Sequence, residues 1–190
     1  MNERQSGARR RAGHFAGVAA GFLLLAAGIG NAAPTRFEHY VIGGDTISDL
    51  KASIVATAPR GGNALGLTNV VISPDFRLAE TDGTCRAVDV TVDLEITVTL
   101  PKVEVMPAGF ESRWQHIHET VRDHEMMHAK IAEVYAGRIE TAIREASSEA
   151  GCAALKEKVL ADIRELQDRH RAMQRNYDII DSGRVMSLLP

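Results

Sequence analysis

The chain is short of three things, and each shortage removes a class of function. It has only two cysteines, Cys85 and Cys152, in 190 residues. A four-thiolate zinc site is therefore out of reach, and any metal must be held by other side chains. It has no surplus of positive charge, with 22 Lys and Arg against 25 Asp and Glu. Residues 1–33 carry four of those basic residues (Arg4, Arg9, Arg10, Arg11) and one acidic one (Glu3), so the remainder holds 18 basic and 24 acidic side chains, a net charge of −6. A nucleic-acid-binding domain needs a basic face to neutralise phosphates, and this balance argues against one. It also has no apolar run of membrane-spanning length. The stretch Phe15–Ile29 is 15 residues long and Gly-rich, short of the ~20 that a spanning helix needs. No internal repeat and no low-complexity segment is present.

What stands at the N-terminus reads instead as an export signal. Arg9, Arg10 and Arg11 form a basic region, Phe15–Ile29 an apolar one, and Gly30 and Ala32 supply the small residues for cleavage after Ala32. Residues 1–33 are thus expected to be a signal peptide and 34–190 a single domain, periplasmic or secreted, with no stable membrane insertion once the signal is removed. No cysteine follows the apolar region, which argues against a lipid anchor. In an oxidising compartment the pair Cys85 and Cys152 reads as one disulfide. Closing a loop of about 67 residues is worth roughly 3–4 kcal/mol in the loop-entropy picture.

The order of elements follows from hydrophobic periodicity. FEHYVIGG, 37–44, reads as a strand ending in a glycine turn. Asp45 or Thr46 can cap a helix with the stripe Ile47, Leu50, Ile54 and Val55, which Pro59 and Gly61–Gly62 end. NALGLTNVVISP reads as a second strand and FRLAETDGTC as a turn. From Val88 to Leu100 apolar and polar residues alternate over 13 positions, a half-buried antiparallel strand. Pro101 is expected to end it, with at most a brief continuation to Pro107 and Gly109. After Gly109 the period becomes helical, with Trp114, Ile117, Val121, His124, His128, Ile131 and Tyr135 on one face to about Ser147. SSEAG is a break, with Gly151 suited to a C-terminal cap. A second helix carries Leu155, Val159, Ile163, Leu166, His170, Met173, Tyr177 and Ile180 as its stripe. The expectation is an α+β fold: a small antiparallel sheet with one N-terminal helix, followed by a long antiparallel helical hairpin.

The first long helix carries the sequence H-E-M-M-H, His124 to His128. Residues four apart share a helix face, so both imidazoles can reach one Zn²⁺. Glu125 beside the first can take a proton from water at the metal. Both histidines lie on the apolar stripe, where three desolvated polar groups would each cost about 1–3 kcal/mol if left unpaired. A metal satisfies them together. If the hairpin turns near 149–151, His128 faces 170–172 and His124 faces 174–178. That brings His170, Tyr177 and Asp178 near the metal as candidates for a third ligand and an oxyanion donor.

These residues resemble the DUF922 family, known as predicted secreted zinc-dependent proteases. The likeness rests on YVIGGDTISDL with Pro59 after it, Cys85 ahead of the alternating strand, Pro101, Trp114, HEMMH, Cys152 and the terminal HRAMQRNYD, over residues 37 to 181. The family pattern continues after Tyr-Asp with a Thr and then His-Gly. Here Asp181 stands at the Thr position and Gly183 at the His position, so either His170 or Asp178 serves as third ligand or the metal site is weakened.

The function expected is a zinc metallopeptidase of the zincin kind. Zn²⁺ would be held by His124, His128 and one of His170 or Asp178, with His170 preferred. Glu125 would be the general base and Tyr177 the hydrogen-bond donor to the oxyanion. The partner implied is a peptide or protein substrate. The competing expectation is a non-catalytic binding or structural module whose metal site is degenerate or structural.

Overall fold

A computed structural model describes residues 34–187. The segment read as a signal peptide lies outside the described residues. The rest is an α+β arrangement of a small sheet and helices. In chain order the elements are β1 (Arg36–Gly43), α1 (Ile47–Thr57), a single turn α2 (Pro59–Gly62), β2 (Leu67–Thr81), β3 (Thr84–Val105), α3 (Glu111–Glu145), β4 (Ser147–Ser148) and α4 (Cys152–Met186).

The sheet is mixed, which corrects the expectation of an antiparallel one. β2 and β3 form an antiparallel hairpin, but β1 runs parallel to β3, from Arg36↔Thr97 to Gly43↔Val105. β3 lies at the centre, in the order β1-β3-β2, and β4 pairs with it at Cys85 and Arg86. The cause is topological. The hairpin occupies one edge of β3, so β1 can join only at the other. α1 then carries the chain back across to β2. Alternation along β3 states that a strand is half-buried, not which way its neighbours run.

Both strands of the hairpin are longer than the sequence suggests. The segment expected as a turn, FRLAETDGTC, is mostly strand. Only Asp82 and Gly83 turn, with φ of 52° and 72°, the conformation that Asp-Gly favours in two-residue hairpins. β2 passes through Pro74, which an edge strand tolerates. Pro101 does not end β3 either. β2 stops at Leu67↔Thr99, so only β1 lies beside Pro101, and a missing N–H is tolerated on the side without a partner. At Asp89 (φ 52°) the β2 register shifts between Asp75 and Arg77. This bulge leaves Val88 half-buried while Val90, Val92, Leu94, Ile96, Val98 and Leu100 are all buried.

That inner face meets α3. Trp114, Ile117, Val121, Ala132, Ile139 and Ile143 are buried in one cluster with it. The opposite face of β3 carries the exposed Thr91, Asp93 and Glu95. α1 begins with a capping box, in which Thr46 Oγ1 accepts from the Asp49 backbone N–H and Asp49 accepts from that of Thr46. Such a cap contributes about 1 kcal/mol.

α3 ends at Glu145. The next residues are drawn onto β3 as β4, so Gly151 (φ 92°) precedes α4 and does not cap α3. Cys85 and Cys152 form a disulfide with Cα atoms 5.2 Å apart, fastening the start of α4 to the start of β3. α4 then runs back along α3. Leu155, Val159 and Ile163 are buried, but the outer half of the expected stripe is not: Met173 and Ile180 are exposed. There α4 meets the middle of α3 with polar side chains. No helix among the described residues is long and apolar enough to cross a membrane.

Candidate metal centre

The middle of α3 buries three polar side chains in succession on one face. His124, Glu125 and His128 are 9%, 5% and 8% exposed. Buried polar atoms must find partners, and among the described residues every buried side-chain nitrogen or oxygen has a polar neighbour within hydrogen-bond distance. The partners come from α4 and β2.

Each imidazole is held from α4 by its Nδ1. His124 Nδ1 lies 2.8 Å from Asp181 Oδ2, and His128 Nδ1 bonds Gln174 Oε1. An ionised carboxylate can only accept. The Gln174 amide nitrogen donates to the His128 carbonyl at 3.1 Å and faces His170 Nε2 at 2.8 Å, so its oxygen must be the acceptor for His128. Both Nδ1 atoms therefore carry hydrogen, and in the neutral rings both Nε2 atoms present lone pairs.

Those lone pairs converge. His124 Nε2 and His128 Nε2 are 3.2 Å apart, and Asp178 Oδ1 is 2.8 Å from His128 Nε2 and 3.4 Å from His124 Nε2. Three acceptors point at one place, which is unfavourable unless something positive sits among them. Donors at zinc bond lengths of about 2.0–2.1 Å in tetrahedral directions lie roughly 3.3 Å from one another, close to the triangle seen. His124, His128 and Asp178 form the one group of three or more possible metal-ligating residues among those described. The donor set of two imidazoles and a carboxylate fits Zn²⁺ and leaves a fourth position to solvent.

The residues proposed from sequence thus separate. Asp178 joins the two histidines. His170, preferred as the third ligand, does not: its ring leans on Tyr135, with centroids 5.4 Å apart, and its Nε2 serves Gln174. The register is one helical turn further along α4 than the turn position implied, so His128 meets Gln174 and Asp178. Burial lowers the His170 pKa, in keeping with a neutral acceptor. Tyr177 stacks on the His124 ring at 4.9 Å, and its hydroxyl donates to Asp181 at 3.2 Å. It is not among the residues lining the two cavities at the site. Burial, then Asp181, raises its pKa.

Gln174 and Asp181 escaped the sequence reading. The signal was present: 170, 174, 178 and 181 follow one another at helical spacing on α4. Asp181 is held well below the usual carboxylate range, chiefly by Arg184, which binds it with two nitrogens at 2.9 Å, and then by His124 and Tyr177. Such outer partners orient metal ligands. Asp181→Ala should therefore weaken zinc affinity by about 10–100-fold, read by competition with a chromophoric chelator, with the far-ultraviolet circular dichroism unchanged.

Glu125 is held from the sheet. Thr68 Oγ1, on β2, lies 2.7 Å from Glu125 Oε2 and 3.0 Å from the Glu125 carbonyl. Burial raises the carboxyl pKa, while Thr68 and the two histidines pull it down. Gly66 leaves the room for this: a Cβ there would stand 2.6 Å from Glu125 Cγ and Oε1. Tyr40 fixes the neighbouring turn by donating to the Leu65 carbonyl at 2.8 Å.

Two cavities open on the cluster. One of about 290 Å³ is lined by Arg60, Leu65, His124, Glu125 and Asp178, and one of about 180 Å³ by Gly66, Thr68, His128, Glu125 and His170. A third hollow lies apart, between Trp114, His39 and His118.

A family model described as a bacterial protein of unknown function, DUF922, matches residues 37–183. No curated protein and no solved structure matches the chain.

Proposed function

We propose, starting from the fact that this chain belongs to the DUF922 family, that it is an exported zinc-dependent peptidase of the zincin kind. One observation carries the reading: three lone-pair donors converge beside a buried carboxylate that is not one of them. A structural metal site has no need of Glu125 held next to the donors by a residue from another element.

When bound, a zinc ion supplies Lewis-acid chemistry, acidifying water and polarising a carbonyl. His124, His128 and Asp178 would hold it. Glu125 is placed to accept a proton from water and return it to the departing amine. Its burial favours proton uptake, and Thr68 keeps the carboxylate aimed into the cleft. Asp181 and Gln174 keep both imidazoles in one tautomer and one orientation.

The substrate path follows from the sheet. Among the described residues β2 has a single strand partner, β3, and Gly66, Leu67, Thr68 and Val70 line the smaller cavity. An extended peptide can pair with the outer edge of β2 and bring a backbone amide past Glu125. The disulfide suits export to an oxidising compartment.

The test is metal analysis and peptide hydrolysis on the purified protein. About one zinc per chain is expected, with hydrolysis of a mixed peptide library lost on chelation and restored by zinc. Stoichiometric zinc with every peptide left intact would instead point to a binding or structural module.

A further inference from the structure

We propose that Arg60 binds a carboxylate of the substrate and so sets which peptide bond reaches Glu125. This rests on the peptidase reading of the metal site and adds the chemistry of what enters it. Arg60 lines both cavities that open on the donors, alongside His124, Glu125 and Asp178 in each. Its side chain is exposed, and among the described residues it has neither an ion pair nor a side-chain hydrogen bond. Arg36, Arg86, Arg122, Arg164 and Arg175 also lack both among the described residues, but none of them lines a cavity at the donors. An unpaired guanidinium on a residue that lines the cleft is a fork of donors waiting for an acceptor.

The backbone supports the same conclusion. Arg60 stands in the left-handed region, φ 54° and ψ 35°, followed by Gly61 at φ 67°. Glycine takes that conformation freely and arginine does not. Pro59 before the turn and a bond from Asn63 Nδ2 to the Arg60 carbonyl at 3.1 Å hold it there. Strain of this kind is tolerated where a side chain has work at a site.

A peptide offers arginine one kind of anion, a carboxylate, either at its C-terminus or on an Asp or Glu side chain. The two sources are separable. Three pools of fluorescent decapeptides would be used: neutral with a free C-terminus, the same amidated, and amidated with one internal Asp or Glu. Binding is read by anisotropy on the zinc-loaded Glu125→Gln protein, and cleavage on the wild type.

One of the two anionic pools should bind about tenfold or more tightly than the neutral amide, as a charge-assisted pair implies, and which pool does so identifies the source. Arg60→Gln should erase the difference and Arg60→Lys restore part of it, both with unchanged zinc content. If all three pools are cleaved and bound alike, or if Arg60→Gln leaves the preference intact, the assignment to Arg60 is overturned and the peptidase reading stands. If no pool is bound or cleaved, both fall.

Discussion

Glu125→Gln should leave the protein with about one zinc per chain and reduce peptide hydrolysis by roughly 10²–10⁴-fold. Two features make the expected effects separate so cleanly. Glu125 is not among the converging donors, and glutamine keeps the shape and the hydrogen-bond acceptor for Thr68 while losing the ability to take up a proton. Zinc measured by elemental analysis alongside turnover of a fluorogenic peptide library checks both halves. A loss of zinc together with activity would make Glu125 part of the metal's support, and retained hydrolysis would remove it as the base. Gly66→Ala gives an independent route to the same end. The added methyl would collide with the Glu125 side chain at 2.6 Å, and a flexible side chain yields before the backbone does. Activity should fall with zinc content and thermal midpoint nearly unchanged.

Replacing both cysteines with serine should lower the thermal midpoint by roughly 5–15 °C, the equivalent of losing about 2–5 kcal/mol from a domain of this size. The bridge joins residues 67 apart in sequence and ties the first residue of α4 to the buried start of β3. Without it, the connection between the long helices is fastened by β4, two residues paired with Cys85 and Arg86, and by buried Ala146. Zinc affinity well below the midpoint should be preserved, because Asp178 lies 26 residues along α4 from Cys152, about 39 Å of helix. Differential scanning fluorimetry and a chelator competition on the same sample read the two quantities. An unchanged midpoint would show that packing of Leu155 and Val159 alone holds α4 in place.

That His124, Glu125 and His128 share one buried face was legible in the sequence because it depends on spacing within one helix, which periodicity sets locally. The same holds for the alternating strand on which α3 rests and for the pairing of two cysteines. The residues from α4 are different. Where His128 meets α4 depends on how six connecting residues are used, and β4 takes two of them for a pairing with β3 that no local pattern announces. A change of one helical turn exchanges His170 for Asp178 beside the two imidazoles. Thr68 and Gly66 lie nearly 60 residues from Glu125 in sequence and are joined to it only through the sheet.

Periodicity and spacing along the chain suffice for the α+β class, for the helix face that carries two imidazoles and a carboxylate, and for the cysteines that close the chain. The direction of β1, the approach of Asp178 to both imidazoles, and the bonds from Gln174 and Asp181 emerge only once the elements pack. Local patterns encode which face of an element is buried. The partner it meets there is set by the register between elements, and register is a property of the packed whole.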